Sequence, residues 1–191
     1  MVLGDNIYFG NDFESLLEDA RVNTENGKAS IFGYQVRDPE RFGIMELDKN
    51  NNVLSVEEKP KKPKSDYAIT GLYFYPKGVS EMAKKVKPSN RGELEITTLN
   101  DLYLQEGNLK AEILGEGFTW FDTGTFDSMM EANNMIKLVE SNNGKVIACP
   151  EVIAYEKGWL SLDELNQAAD LMKKNSYGKY LIDVVEKENE N

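Results

Sequence analysis

Four short stretches of this sequence carry side chains able to do chemistry. Met1-Val2-Leu3-Gly4-Asp5-Asn6 is an apolar run ending in a turn, with one carboxylate, Asp5, at its end. Val56-Glu57-Glu58-Lys59-Pro60 delivers two acids and a lysine directly before a proline. Arg91-Gly92-Glu93-Leu94-Glu95-Ile96-Thr97 sets an arginine and a glycine before a helical pattern, and Trp120-Phe121-Asp122-Thr123-Gly124-Thr125 carries a second isolated carboxylate, Asp122, into a glycine turn. Two carboxylates on separate strand ends can share one Mg²⁺, which takes one or two carboxylates together with phosphate oxygens and water. A lysine and an arginine hold phosphates, the arginine through its bidentate fork. A glutamate accepts from sugar hydroxyls. The inventory suits metal-assisted phosphoryl or nucleotidyl transfer, which needs positioning and charge neutralisation rather than a protein nucleophile. Each stretch also has a purely structural reading: a strand-to-helix turn, a solvated strand exit, a surface arginine, and an N-capping turn for the helix that follows.

Composition narrows the field. The 191 residues contain no histidine, which excludes Ser-His-Asp and Cys-His catalysis and any imidazole metal site within this sequence. Cys149 is the single cysteine, so neither an intrachain disulfide nor a thiolate cluster is available, and cytoplasmic residence is expected. A formal net charge of −11 argues against nucleic-acid and anionic-membrane partners, both of which need a basic face. No apolar run approaches the roughly 20 residues of a membrane span, and no charged-then-apolar leader precedes the first strand.

The elements that must position these residues follow from hydrophobic period. Val2–Gly4 reads as a buried strand, and Phe13, Leu16, Leu17 and Ala20 fall at helical spacing behind Asp12, a candidate N-cap, with Asn26-Gly27 as the stop. Ala29–Val36 reads as a strand, giving the order of a parallel, right-handed βαβ unit. Gly43–Leu47, Val53–Glu57 and Tyr67–Tyr75 are strand-like, the first two joined by Asp48-Lys49-Asn50-Asn51-Asn52 as an antiparallel hairpin. Gly71 inside the third marks a bulge or a close backbone approach. A short helix over Val79–Val86, a second amphipathic helix from Glu93 to Gly107, a strand at Leu109–Leu114 and a long helix from Phe126 follow. Beyond Ser141 the pattern turns to short helices. The expected organisation is α/β over 1–141, a mixed parallel and antiparallel sheet, with a helical tail over 142–191.

The motifs LGDNIYFG, FGIMELD, VEEKPKKPKSDYAITGLYFY, RGELEIT and WFDTGTFDSMMEAN together resemble the sugar-1-phosphate nucleotidylyltransferases, and CPEVIAYEKGWL and NSYGKYL in the tail resemble their glucose-1-phosphate thymidylyltransferase branch. The resemblance covers essentially the whole sequence. It implies a Rossmann-like nucleotidyltransferase sheet and a reaction in which a phosphate oxygen of glucose 1-phosphate attacks the α-phosphorus of dTTP and expels pyrophosphate, supplying dTDP-rhamnose biosynthesis. Carried over motif by motif, it implies Asp5 and Asp122 as Mg²⁺ ligands, Lys59 and Arg91 on the sugar phosphate, and Glu58 and Gly43 on sugar hydroxyls. Tyr73 and Trp120 would line the pocket, and Asn6 would support the sugar or the metal side. It further implies a homo-oligomer, tetrameric in the full-length family, to which the helical tail contributes. Thymidine is inferred from the tail, with uridine and cytidine as alternatives.

Two departures accompany the resemblance. The family opens with a Gly-Gly-x-Gly-Thr-Arg-Leu loop that cradles the triphosphate, and this sequence has no such loop. It therefore corresponds to the part of the family after that loop, with an exposed edge expected at Val2–Gly4, and is expected not to complete the transfer alone. The competing reading is a non-catalytic interaction module. The family's inhibitor site uses an arginine before the Trp-x-Asp motif and polar residues near Cys-Pro-Glu; here Glu116, Ala148 and Val152 occupy those positions.

Overall fold

The computed structural model describes residues 1–89 and 91–190. The chain divides into two compact units, Met1–Met129 and Met130–Asn191.

The first unit is built on a five-stranded sheet of order β4-β3-β5-β2-β6. Its strands are β2 (Ala29–Gln35), β3 (Gly43–Leu47), β4 (Val53–Glu58), β5 (Tyr67–Phe74) and β6 (Leu109–Leu114). The β2–β6 pair is parallel and the other pairs are antiparallel, which makes the sheet mixed, as expected. Along β2 the side chains alternate between two buried faces. Ala29 and Ile31 join Met45, Ile69, Tyr73, Leu99 and Tyr103 in one core, while Phe32 joins Ala20, Leu72 and Leu114 in another. A strand buried on both faces needs an unbroken apolar run, which its buried part, ASIFG, supplies apart from Ser30. Ser30 is satisfied by the Asn23 amide at 3.0 Å. Ile31 and Phe32 are fully buried, each contributing about 1.5–3 kcal/mol.

Helices cover both faces. Helix α1 (Phe13–Glu25) packs on the Phe32 side, and α2 (Val79–Ala83) and α3 (Ile96–Gln105) contribute to the other. Asp12 occupies the α1 N-cap position with a left-handed φ of 59° and makes no side-chain cap bond there.

The expected Val2–Gly4 strand and its βαβ unit are not what forms. Val2 makes one isolated antiparallel bridge to Leu72 of β5, and Met1, Val2 and Leu3 are exposed along that edge. The regular strand is β1 (Asn6–Phe9), which pairs antiparallel with β7 (Thr119–Asp122) in a separate two-stranded sheet. Backbone bonds from the Leu3 amide to the Gly71 carbonyl at 2.8 Å and from the Tyr73 amide to the Met1 carbonyl at 2.9 Å flank that bridge, whereas NIYF pairs along its full length with a strand more than 100 residues away.

The second unit contains α5 (Pro150–Glu156), α6 (Leu162–Met172) and α7 (Ser176–Glu190), packed around Cys149, Leu165, Ala169, Leu181 and Val185. Helix α4 (Phe126–Asn143) runs across the boundary in sequence. A capping box between Ser161 and Glu164 starts α6. Asn175 Oδ1 accepts the Gly178 amide at 2.9 Å as α7 begins. Gly178 is obligatory there, because a Cβ would stand 2.1 Å from the Met172 carbonyl oxygen, a backbone atom that cannot step aside. Gly178→Ala should cost the helical tail about 3 kcal/mol. The check is calorimetry of the whole chain, where the lowest-melting transition should fall by several degrees; an unaltered trace would refute the contact.

Candidate active site

The β1–β7 ladder brings the two isolated carboxylates together. Its register sets Asn6 opposite Asp122, so Asp5 stands one residue beyond the paired end. The Thr123 amide and hydroxyl both donate to the Asp5 carbonyl, at 2.8 and 2.9 Å, which fixes the two chain segments side by side. One oxygen of each carboxylate lies near Gly124. A Cβ built on Gly124 would lie 3.1 Å from Asp122 Oδ1 and 3.9 Å from Asp5 Oδ2. Asp122 Oδ1 also accepts the Gly124 amide at 3.1 Å, and Asp5 Oδ1 accepts from the Asn6 amide at 2.9 Å, so one oxygen of each carboxylate is anchored by protein. Among the described residues no group of three or more acidic, cysteine or histidine side chains gathers for a metal. Two hard carboxylates suit Mg²⁺ all the same, since that ion keeps coordination places for water and substrate phosphate.

The N-capping reading of the Asp122-Thr123-Gly124-Thr125 turn is also realised, through Thr125. Thr125 Oγ1 accepts the Ser128 amide at 3.2 Å at the start of α4, leaving Asp122 outside the cap.

Beside the carboxylates lies a cleft of about 170 Å³, lined by Asn6, Gly43, Glu58, Lys59, Tyr73, Trp120 and Asp122 together with Leu3, Arg41, Phe42, Ile69, Gly71, Ile96 and Thr97. Seven of the nine residues singled out from sequence line it directly; Asp5 and Arg91 stand at its margins. Strand β4 delivers Glu58, whose Oε2 accepts a short hydrogen bond from the Thr97 hydroxyl at the start of α3. Gly43, opposite Glu58 in the β3–β4 register, leaves room for this: a Cβ there would sit 3.0 Å from Thr97 Oγ1 and 3.2 Å from Glu58 Oε2. Lys59 follows at a φ of 41°, a left-handed conformation, with its amide bonded to the Phe42 carbonyl at 3.0 Å. Arg91 is surrounded by acids, with Glu93 at 3.2 Å, Glu95 at 3.6 Å and Glu58 at 3.8 Å. It is thus tied to the cleft through Glu58.

Two aromatic side chains close the floor. Tyr73 is buried, and burial, reinforced by the neighbouring Tyr8 and Glu58, pushes its phenol upward. Trp120 packs edge-on to Tyr34 at 6.0 Å and against Phe42 at 5.2 Å. Burial also raises the Tyr8 phenol to about 12, opposed by the adjacent Thr70 hydroxyl and Trp120 indole.

Sequence reasoning missed Arg41 and Thr97 as cleft residues. Arg41 reads as part of a charged turn, and it does pair with Asp38 at 2.6 Å; that bond chiefly holds its guanidinium charged, with Asp122 adding a weaker attraction. Its place directly before Phe42-Gly43 was the available signal, because β3 carries Gly43 into the site.

The sequence and fold are similar to those of known proteins. Residues 1–138 match the profile of the family described as nucleotidyl transferase. A glucose-1-phosphate thymidylyltransferase of Neisseria meningitidis is 49% identical over 187 residues, covering 98% of this chain and 64% of that protein. One of Mycobacterium tuberculosis is 42% identical over the same shares. The chain thus spans less than two thirds of the length of the curated relatives it matches. Among solved structures, a Bacillus anthracis chain described as a glucose-1-phosphate thymidylyltransferase, in complex with sucrose, superposes with a TM-score of 0.61 at 41% identity, over 70% of this chain and 52% of that one. A UDP-glucose pyrophosphorylase complexed with UDP-glucose, at 21% identity and a TM-score of 0.57 over 70% of this chain and 54% of that one, shares the fold. No helix among the described residues is long and apolar enough to cross a membrane.

Proposed function

We propose that this chain, which belongs to the nucleotidyl transferase family, carries the metal and sugar-phosphate side of a glucose-1-phosphate thymidylyltransferase. In that reaction a phosphate oxygen of glucose 1-phosphate forms a bond to the α-phosphorus of dTTP as the bond to the departing pyrophosphate breaks in line. Asp5 and Asp122 would hold Mg²⁺, which when bound offsets negative charge on the phosphate oxygens. Lys59 and Arg91 hold the sugar phosphate. Glu58, oriented by Thr97, accepts from sugar hydroxyls across the gap that Gly43 leaves, and Tyr73 and Trp120 form the wall. A cytoplasmic enzyme feeding dTDP-rhamnose synthesis, oligomeric through its helical tail, completes the proposal.

The observation that carries this reading is the placement of Asp5 and Asp122 on either side of Gly124, at the edge of a cleft that also holds Lys59 and Glu58. The reading is supported by relatives named for this activity at 42–49% identity. Because the chain spans 64% of their length, the complete transfer is proposed only together with a segment that supplies the triphosphate loop. The test is pyrophosphate release from dTTP and glucose 1-phosphate with Mg²⁺, alongside glucose 1-phosphate binding by calorimetry. Saturable binding without turnover is expected of the chain alone, with turnover appearing when the relatives' remaining segment is added in trans. Absence of binding would favour the non-catalytic module and remove the proposal.

A further inference from the structure

Three hydrogen bonds fix the amide of Asn6, and we infer that Asn6 is a positioning residue that aims the Asp5 carboxylate at the metal. A side-chain amide has two acceptor lone pairs and two N–H donors. Oδ1 of Asn6 accepts from the Trp120 indole Nε1 at 2.7 Å and from the Gly71 backbone amide at 3.1 Å, which fills its acceptor capacity. Both partners are donors only, so they dictate which end of the amide is oxygen. The nitrogen is thereby turned toward Asp5 Oδ1, at 2.9 Å. With that oxygen held, Oδ2 is the one on the Gly124 side, 3.9 Å from where a Cβ on that glycine would stand, with Asp122 Oδ1 3.1 Å from the same position.

The arrangement also explains Gly71. Asn6 stands on β1, Trp120 on β7 and Gly71 on β5, so this one amide joins the small sheet to the large one. A Cβ at Gly71 would lie 2.6 Å from Asn6 Nδ2, 2.7 Å from its Cγ and 2.9 Å from its Oδ1. Three hydrogen bonds hold the short side chain in place, so it has little freedom to move aside. Gly71 therefore acts on the metal side through Asn6, although it bears no functional group.

The inference rests on the metal role proposed for Asp5 and Asp122, and the experiment separates the two. Mn²⁺ affinity of the whole chain is measured by electron paramagnetic resonance for the unaltered protein, Asn6→Ala, Gly71→Ala, their combination, and Asp122→Asn as the site control. Asn6→Ala and Gly71→Ala are each expected to weaken Mn²⁺ binding roughly 10-fold, the usual cost of losing an outer-shell partner. The combination should be no weaker than either alone, because both act through one amide. It should also recover melting temperature lost in Gly71→Ala, since removing the Asn6 side chain removes the clash. The Trp120 indole proton, distinguished from that of exposed Trp159 by slow exchange, should lose its protection in Asn6→Ala. A merely structural role would lower melting temperature and leave Mn²⁺ affinity intact. Unaltered affinity in Gly71→Ala, or losses that multiply in the combination, would overturn this inference alone. If the unaltered chain binds no more Mn²⁺ than Asp122→Asn, the metal reading falls and this inference falls with it.

Discussion

Asp122→Asn should weaken Mn²⁺ binding by at least about 100-fold while leaving the melting temperature within about a degree of the unaltered chain. The substitution is nearly isosteric, and the asparagine oxygen can keep accepting the Gly124 amide that Asp122 Oδ1 now accepts at 3.1 Å. The β1–β7 ladder uses only the backbone at this position, so the pairing of Asn6 with residue 122 survives. What is lost is one of the two negative charges beside Gly124. Removing half of the anionic ligand set from a divalent ion costs more than about 2.7 kcal/mol at a partly exposed site, which is the stated 100-fold. Arg41 loses a minor source of attraction but keeps Asp38, so its position should not change. Titration with Mn²⁺, monitored by electron paramagnetic resonance, together with a thermal melt, checks both halves. Retention of the affinity would mean that Asp5 and Asp122 do not share an ion, and the functional proposal would lose its central observation.

How much of this site could be read from the sequence depended on whether the cause was local. The Gly43–Leu47 and Val53–Glu58 strands and the hairpin between them are legible because alternation and an Asp-Asn turn act over a few residues. The Val2–Gly4 assignment failed because an apolar run carries no information about whether partners exist on both sides. The true β1 is defined by β7, a pairing across more than 100 residues that no local pattern announces. That same register sets Asp5 beside Asp122, so the chemistry of the pair was legible from residue type while its geometry was not. Gly71 was read as a bulge or a close backbone approach, and what lies against it is the Asn6 side chain. Arg41 and Thr97 were overlooked because one sits in an ion-paired turn and the other inside a helix start, where each has a sufficient structural explanation. Lys59 had no conformational signal at all, since lysine is not a residue that favours positive φ.

Lys59→Gly should therefore separate stability from binding in opposite directions. Lys59 sits at a φ of 41°, held there by its amide bond to the Phe42 carbonyl and followed at once by Pro60, which itself disfavours helical backbone in the preceding residue. An L-residue in the left-handed region costs about 1–2 kcal/mol, and such strain is tolerated where a site requires the resulting direction of the side chain. Here the turn at Lys59 coincides with the entry of its side chain among the cleft residues beside Glu58 and Arg41. Glycine adopts the same backbone without strain, so Lys59→Gly should be more stable than Lys59→Ala by about 1 kcal/mol, a few degrees in melting temperature. Both variants lose the ammonium group, and a charged hydrogen bond to phosphate is worth roughly 1.5–3 kcal/mol, so both should bind glucose 1-phosphate about 10- to 100-fold more weakly. The comparison isolates the two terms, because the variants differ in backbone strain and share the missing charge. Calorimetric titration with glucose 1-phosphate and a thermal melt of each variant supply the two numbers. Equal melting temperatures would show that the positive φ carries no strain. Undiminished binding in both would show that Lys59 does not hold the phosphate, and the cleft would then need another cation, for which Arg41 is already in place.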